Sequence, residues 1–318
     1  MRKRLIASIV AAGLALAGVI AAPAFAETNL KGAGSSFANK FITSCAVKNP
    51  QYSVTYIPVV GGPVAILFNV PGVTSGSLKL NATVWANILT GKVKMWNDAS
   101  IKKLQSAAVA KKLPAKPIRV VYRSSNSGTS ENMTNYLRQV VPAIWTRPKN
   151  GTIAQGNPAG RMPAGAIGAP NSQSLVTSVK SMSYTIGYAD LSDTVDAAGK
   201  PKVAVAQLQN ANGEFVAPSS AAASKFLEVF SNRNYPNATT GAVNFNYTTK
   251  IAGAYQMSLM TYAIADKGAT SSTAGDVEAF VSYLLSDCGP NYAASLGYSP
   301  ITGDLKTKAL ALAAAIKQ

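Results

Sequence analysis

The stretch that decides the fold is Ile118-Arg119-Val120-Val121-Tyr122-Arg123-Ser124-Ser125-Asn126-Ser127-Gly128-Thr129. Its first five residues are apolar enough to predict a buried strand, which Pro114 and Pro117 precede. A polar loop with one glycine follows. Apolar residues then recur in steps of three and four, which predicts a helix with one apolar face; they are Met133, Tyr136, Leu137, Val140, Val141 and Ile144. A strand, a short loop and a helix in this order indicate an α/β fold.

The same alternation of short apolar runs and amphipathic stretches extends in both directions from this segment. Strands are predicted at residues 52–56, 59–70, 186–189 and 255–265, and a hairpin at 203–215 that turns at Asn212-Gly213. Helices are predicted from 84, at 173–180, at 219–230 with Ser219 and Ser220 as capping candidates, at 274–286 and at 306–317. Residues 148–173 are rich in Gly, Pro and Asn, which predicts a long loop.

The loop between strand and helix has three features that favour binding of an oxyanion. Backbone amides at a helix N-terminus lack partners, and the helix dipole favours negative charge beside them. Gly128 permits close approach to the main chain, and Ser127 and Thr129 add hydroxyl groups. Arg123 offers a forked cation suited to tetrahedral anions. The alternative is an ordinary capped helix with Arg123 as a surface charge.

A second candidate cradle lies near the predicted mature N-terminus. Gly32-Ala33-Gly34 precedes Ser35, Ser36 and Phe37, and a helical stretch follows. Glycines followed by hydroxyl groups at a helix start can bind an anion through backbone amides. A tight turn between strand and helix is the alternative explanation.

The first 26 residues predict a secretory signal peptide. Arg2, Lys3 and Arg4 form a basic region, residues 5–22 are apolar, and Ala24-Phe25-Ala26 fits a cleavage site. A retained membrane anchor is the alternative, because the apolar run is nearly long enough to span a bilayer. No cysteine lies at the cleavage point, so no lipid anchor is predicted. The protein is therefore expected in the periplasm or at the cell surface.

Charge and residue usage narrow the functional classes. The chain carries 30 Lys and Arg against 13 Asp and Glu, a net charge of +17, which becomes +14 once the three basic residues of the signal are removed. A basic balance favours anionic partners, and no basic run interleaved with aromatics indicates nucleic acid. With no histidine, the chain lacks a Ser-His-Asp triad and any His-ligated metal site. Cys45 and Cys288 are either bridged or two separate thiols.

Several motifs, in order along nearly the whole mature chain, resemble the phosphate-binding component of the phosphate-specific ABC transporter. They are Leu30-Lys31-Gly32-Ala33-Gly34-Ser35-Ser36-Phe37, Val59-Val60-Gly61-Gly62-Pro63-Val64-Ala65, Asn69-Val70-Pro71-Gly72-Val73, Leu89-Thr90-Gly91-Lys92-Val93, Met95-Trp96-Asn97-Asp98, Arg123-Ser124 with Ser127-Gly128-Thr129, and Ile186-Gly187-Tyr188. The resemblance implies a two-lobed type II periplasmic-binding-protein fold, with mixed sheets flanked by helices and two hinge crossovers. Trp96 matches a family position and is interpreted as a packing residue.

The resemblance also implies a ligand, a site and partners. Phosphate would be bound by Ser35, Ser36, Phe37, Arg123, Ser127, Gly128 and Thr129, without a metal, a cofactor or catalytic residues. Lobe one would comprise residues 27–69 and 250–318, and lobe two residues 70–249, with crossings near 64–69 and 255–262. The protein would be a monomer that delivers phosphate to ABC permease subunits in the membrane.

The chain departs from the family pattern after Tyr56, where the strand runs directly into the crossover sequence. The family carries a further segment there, with a Gly-Ser-Gly loop and an aspartate that accepts the proton of hydrogenphosphate. No other carboxylate can be assigned to that role from the sequence. This departure leaves a second hypothesis open, a degenerate homologue that adheres to an anionic polymer or a partner protein. A third, a hydrolase using Ser36 or Ser127, lacks an activating base.

Overall fold

A computed structural model describes residues 28–31, 45, 52–55, 59–196, 198–229, 245–263, 265 and 272–316. The predicted signal peptide, Ser35, Ser36 and Phe37, and the junction after Tyr56 lie outside the described residues. The predictions for those segments stay predictions.

The strands are short except for the third. In chain order they are β1 (Thr28–Lys31), β2 (Tyr52–Thr55), β3 (Val60–Asn69), β4 (Lys79–Leu80), β5 (Arg119–Arg123), β6 (Ile167–Ala169), β7 (Thr185–Asp190), β8 (Ala204–Val205), β9 (Gln207–Gln209), β10 (Phe215–Val216) and β11 (Ser258–Thr261).

The α-helices surround these strands. They are α1 (Ala82–Leu89), α2 (Ala99–Lys102), α3 (Ala107–Lys112), α4 (Gly128–Val140), α5 (Ile153–Gly156), α6 (Ser172–Ser181), α7 (Ser220–Val229), α8 (Ala274–Tyr283), α9 (Gly289–Tyr292) and α10 (Gly303–Ala314). Single turns of 3-10 helix occupy Leu191–Thr194 and Ala294–Leu296, and a π-helical turn, Leu284–Cys288, continues α8.

The main sheet is mixed, in the order β11-β3-β7-β5-β6, with β8 paired to the end of β3. β3 is antiparallel to both β11 and β7, whereas β5 is parallel to both β7 and β6. A smaller sheet has the order β10-β9-β4, and β1 pairs with β2 in parallel. The predicted mixed α/β architecture, with sheets flanked by helices, is confirmed.

β3 is the longest described strand and has different partners along its length. Its first residues pair with β11, from Val60 opposite Thr261 to Pro63 opposite Ser258. Its later residues pair with β7, from Val64 to Asn69. The change of partner falls at the start of the predicted crossing at residues 64–69, while the division into lobes at residues 69/70 and 249/250 stays a prediction.

The main sheet is buried on both faces, because alternate residues of β3 enter separate clusters. Val64, Ile66 and Phe68 belong to the large core, whereas Ala65 and Leu67 pack into a smaller cluster with residues of α6. Successive side chains of a strand point to opposite faces, which explains this division.

Several local predictions are corrected. The segment 148–173 is not a continuous loop, because it contains α5 and β6, and β6 pairs with β5. The strand predicted at 255–265 is shorter: among its described residues only Ser258–Thr261, β11, is strand, and β11 pairs with the first residues of β3. The helix indicated from Met133 begins at Gly128, since its first turn is polar and carries no apolar signal. Trp96 is fully buried, and its indole donates to the Tyr184 carbonyl oxygen at 3.1 Å, so it is a packing residue.

Two features concern the chain as a whole. A disulfide joins Cys45 to Cys288, with 6.0 Å between their Cα atoms. Within the ranges described above, no helix has the length and apolar character that crossing a bilayer requires.

Candidate functional site

The candidate site lies at the carboxyl ends of β5 and β7. These strands are parallel, with Arg119 opposite Thr185 and Val120 opposite Ile186, so their ends lie at the same edge of the sheet. Arg123 is the last residue of β5, and Asp190 is the last residue of β7. α4 begins at Gly128, a few residues after β5 ends. Ligands of open α/β sheets bind at such an edge.

Arg123 is held in place by serines. Only 5% of its surface is exposed. Its Nη1 donates to the Ser172 hydroxyl and its Nη2 to the Ser125 hydroxyl, each at 3.2 Å. Ser125 in turn donates to the Pro170 carbonyl oxygen at 2.7 Å. The guanidinium is therefore fixed in orientation by neutral partners and keeps its positive charge for a ligand.

Ser127 is the N-cap of α4. Its backbone is extended, with φ −152° and ψ 127°, and its hydroxyl oxygen accepts from the Ser130 amide at 3.3 Å. Its own amide donates to the Gly151 carbonyl oxygen at 3.0 Å. The loop lies so close to Gly151 that a Cβ there would come within 1.9 Å of Asn126 Oδ1. This contact fixes where the helix starts, and Gly128, its first residue, is exposed.

Thr129 connects the helix start to Asp190. The Thr129 hydroxyl donates to Asp190 Oδ2 at 2.8 Å, and both side chains are buried, with 2% and 0% of their surface exposed. The other carboxyl oxygen, Asp190 Oδ1, is buried without a hydrogen-bond partner among the described residues, as is Arg123 Nε. Unsatisfied buried polar atoms are rare in folded proteins, and these two belong to the same site.

Burial, and after it the nearby charge of Asp193, raises the pKa of Asp190 from 3.8 to about 8. The Thr129 hydroxyl and the Arg123 guanidinium act in the opposite direction, because both favour the ionised carboxylate. The raised pKa favours the protonated form of Asp190 at neutral pH, although the carboxyl lies beside a cation.

A second layer of hydrogen bonds supports the same elements. The Tyr188 hydroxyl accepts from the Arg123 amide at 3.3 Å and lies 2.6 Å from the Ser130 hydroxyl. Burial raises the pKa of Tyr188 to about 12, so the phenol stays neutral. It therefore links β5, β7 and α4 without adding charge.

The structure brings together four of the residues predicted from the sequence, namely Arg123, Ser127, Gly128 and Thr129. The other three predicted residues, Ser35, Ser36 and Phe37, lie outside the described residues. Sequence reasoning missed Asp190, which contacts Thr129 directly. One signal was present, because Asp190 directly follows the strand predicted at 186–189, and ligands of open α/β sheets bind at strand ends.

In the described part of the chain, no three His, Cys, Asp or Glu residues are grouped as they would be to hold a metal ion. The site instead combines a guanidinium, hydroxyl groups and helix amides, which are donors for an anion.

The fold and the site define an α/β protein with a site for an anion. Comparison with known proteins agrees with this class. Residues 27–288 match the model of a PBP superfamily domain, and the chain belongs to that family. It is similar to the phosphate-binding protein PstS of Pasteurella multocida, with 36% identity over 189 residues, 59% of this chain and 50% of that protein. It is also similar to PstS of Haemophilus influenzae, with 27% identity over 257 residues, 80% of this chain and 71% of that protein. The chain thus spans about half the length of the first of these curated relatives.

A solved structure of similar fold is that of the periplasmic phosphate-binding protein PfluDING bound with phosphate. The TM-score is 0.59 and the identity 22%, and the match covers 88% of this chain and 76% of that one. At this identity the likeness concerns the fold.

Proposed function

We propose that the chain binds inorganic phosphate outside the cytoplasm and delivers it to an ABC importer. The observation that carries the proposal is the joint placement of the buried Arg123 guanidinium with Ser127 and Thr129 at the N-terminus of α4. The curated relatives are phosphate-binding proteins, which agrees with this chemistry.

In the proposed complex, each element has its own part in binding the anion. The exposed residue Gly128 at the helix start lets the anion approach the main chain, and the dipole of α4 stabilises its negative charge. Arg123 supplies charge-assisted hydrogen bonds from a guanidinium that its serine partners already hold in place, so little conformational entropy is lost on binding. Ser35, Ser36 and Phe37 would complete the site from lobe one, which would close onto the ligand by hinge motion.

The protein would act outside the cytoplasm as a monomer. Export by the signal peptide at residues 1–26 would place it beside the permease subunits. The chain would act by binding and release without turnover, because it contains no histidine to activate a serine.

Titration calorimetry with inorganic phosphate tests the proposal on the mature chain. Wild type should bind phosphate, and Arg123→Ala should weaken binding by about a hundredfold or more, since it removes charge-assisted bonds of roughly 1.5–3 kcal/mol each. Arg119→Ala is the matched control, because Arg119 is exposed on the same strand and its loss changes the net charge equally. Its dissociation constant should stay within about twofold of wild type.

Two results would contradict the proposal. The first is an absence of heat at millimolar phosphate with folded wild-type protein. The second is a folded Arg123→Ala variant that binds phosphate as tightly as wild type, which would move the site elsewhere.

A further inference from the structure

We infer that Asp190 determines the anion selectivity of this site by controlling the single hydroxyl hydrogen of Thr129. The inference rests on the proposed function and adds a specificity-determining residue that the sequence did not reveal. Asp190 does not contact the anion. It acts through Thr129, whose hydroxyl it accepts at 2.8 Å.

The hydroxyl group of Thr129 can offer only a limited set of hydrogen bonds to the anion. A hydroxyl group has one hydrogen to donate and two lone pairs that accept. The two oxygens lie 2.8 Å apart, and with Asp190 ionised the hydrogen of Thr129 is directed to Asp190 Oδ2. While it stays there, Thr129 offers the anion only lone pairs. Hydrogenphosphate carries a proton that it can donate to these lone pairs, whereas sulfate has none and meets an unfavourable contact.

The protonation state of Asp190 decides where the hydrogen of Thr129 points. An ionised carboxylate can only accept, so the Thr129 hydrogen must remain on Oδ2. A neutral carboxyl can place its own proton on Oδ2 and donate it to Thr129. That arrangement is favoured over a proton on Oδ1, because Oδ1 is buried without a partner among the described residues. Thr129 then turns its hydrogen toward the anion and donates to phosphate and sulfate alike.

The groups around Asp190 place its change from the neutral to the ionised form within an accessible pH range. Arg123 on β5 favours the ionised form, while Asp193, on the turn after β7, and burial favour the neutral form. Tyr188, on β7 itself, stays neutral. With the pKa of Asp190 at about 8, Thr129 is a donor at low pH and an acceptor at high pH. The preference for phosphate over sulfate should therefore rise with pH.

Calorimetry with phosphate and with sulfate, from about pH 6 to about pH 9.5, tests the inference on wild type and Asp190→Asn. The ratio of sulfate to phosphate dissociation constants should rise about tenfold or more in wild type relative to the variant, since a bond to a charged group is gained or lost. Phosphate itself titrates identically for both proteins, so the comparison isolates the Asp190 carboxyl. Asp98→Asn is the matched control, because Asp98 caps α2 and should leave the wild-type pH profile unchanged.

Thr129→Val provides a second readout that does not depend on a substitution at Asp190. At low pH the wild-type hydroxyl donates to both anions, so the variant should weaken both. At high pH the hydroxyl only accepts, so the variant should weaken phosphate by about tenfold and leave sulfate unchanged or tighter. A role of Thr129 in helix structure alone would lower the affinity for both anions in parallel at every pH.

The outcomes separate this inference from the proposed function. If wild type and Asp190→Asn share one pH profile of selectivity, or if Thr129→Val weakens both anions equally at high pH, the inference is overturned while phosphate binding stands. If folded wild type binds phosphate at no pH, both the proposed function and this inference fail.

Discussion

At the scale of single residues, Asp190 should make the stability of the protein depend on pH. Its pKa is higher in the folded protein, at about 8, than the ordinary value of 3.8, so folding takes up a proton between these values. The free energy of unfolding is therefore expected to fall as pH rises toward 8, by at most about 1.4 kcal/mol per pH unit. Urea unfolding without phosphate, at about pH 5 and about pH 8, measures this slope.

Asp190→Asn should remove most of the slope, because the amide does not titrate. Glu214 does not interfere, since the Gly253 amide lowers its pKa and it titrates below this range. Asp98→Asn again serves as the control and should keep the wild-type slope. An equal slope in Asp190→Asn and wild type would show that Asp190 is already ionised in the folded protein.

The residues of the site differ in how far the sequence could predict them. Arg123, Ser127 and Thr129 were predictable because their types and spacing surround a helix start. Asp190 was not, because its role depends on the parallel pairing of β5 with β7, which places two distant strand ends together. The orientation of Arg123 was equally hidden, since Ser172 follows it by 49 residues.

At the scale of elements, the start of α4 should serve both stability and binding. Ser127→Ala removes the hydroxyl that accepts from the Ser130 amide and should lower the free energy of unfolding by about 1 kcal/mol. The same change removes a hydroxyl from the proposed site and should weaken phosphate binding. Chemical denaturation and calorimetry measure the two effects separately.

Asn81→Ala is the matched control for this element. Asn81 caps α1 in the same manner, accepting from the Val84 amide at 2.9 Å, at a helix that is not part of the site. It should cost similar stability and leave the phosphate affinity unchanged. Equal affinities in the two variants would show that the Ser127 hydroxyl has only a capping role.

Elements with a strong local signal were predictable, and those that depend on a distant partner were not. The helix α6 and the strand β7 lie within one residue of their predicted starts. β6 has only three residues in a segment rich in glycine and proline, and it exists as a strand because it pairs with β5. β11 is short because β3 changes partner after Pro63, a feature of the sheet that no local pattern records.

At the scale of the whole molecule, β3 connects the predicted division into lobes to the site. Its first residues pair with β11 and its later residues with β7, whose end carries Asp190. A rotation between lobes would be accommodated near this change of partner, and β7 would move with the residues it pairs. The site on β5, β7 and α4 would then stay intact as the cleft opens and closes.

The disulfide between Cys45 and Cys288 should stabilise the molecule. It closes a loop of 243 residues, for which the chain-entropy model gives about 5 kcal/mol. Cys45→Ala with Cys288→Ala should therefore lower the free energy of unfolding by several kcal/mol, as measured in urea.

Wild type reduced with a thiol keeps both sulfur atoms and separates loss of the cross-link from the cavity that alanine leaves. Reduced and doubly substituted proteins that unfold at the same urea concentration as oxidised wild type would show that the bridge adds no stability.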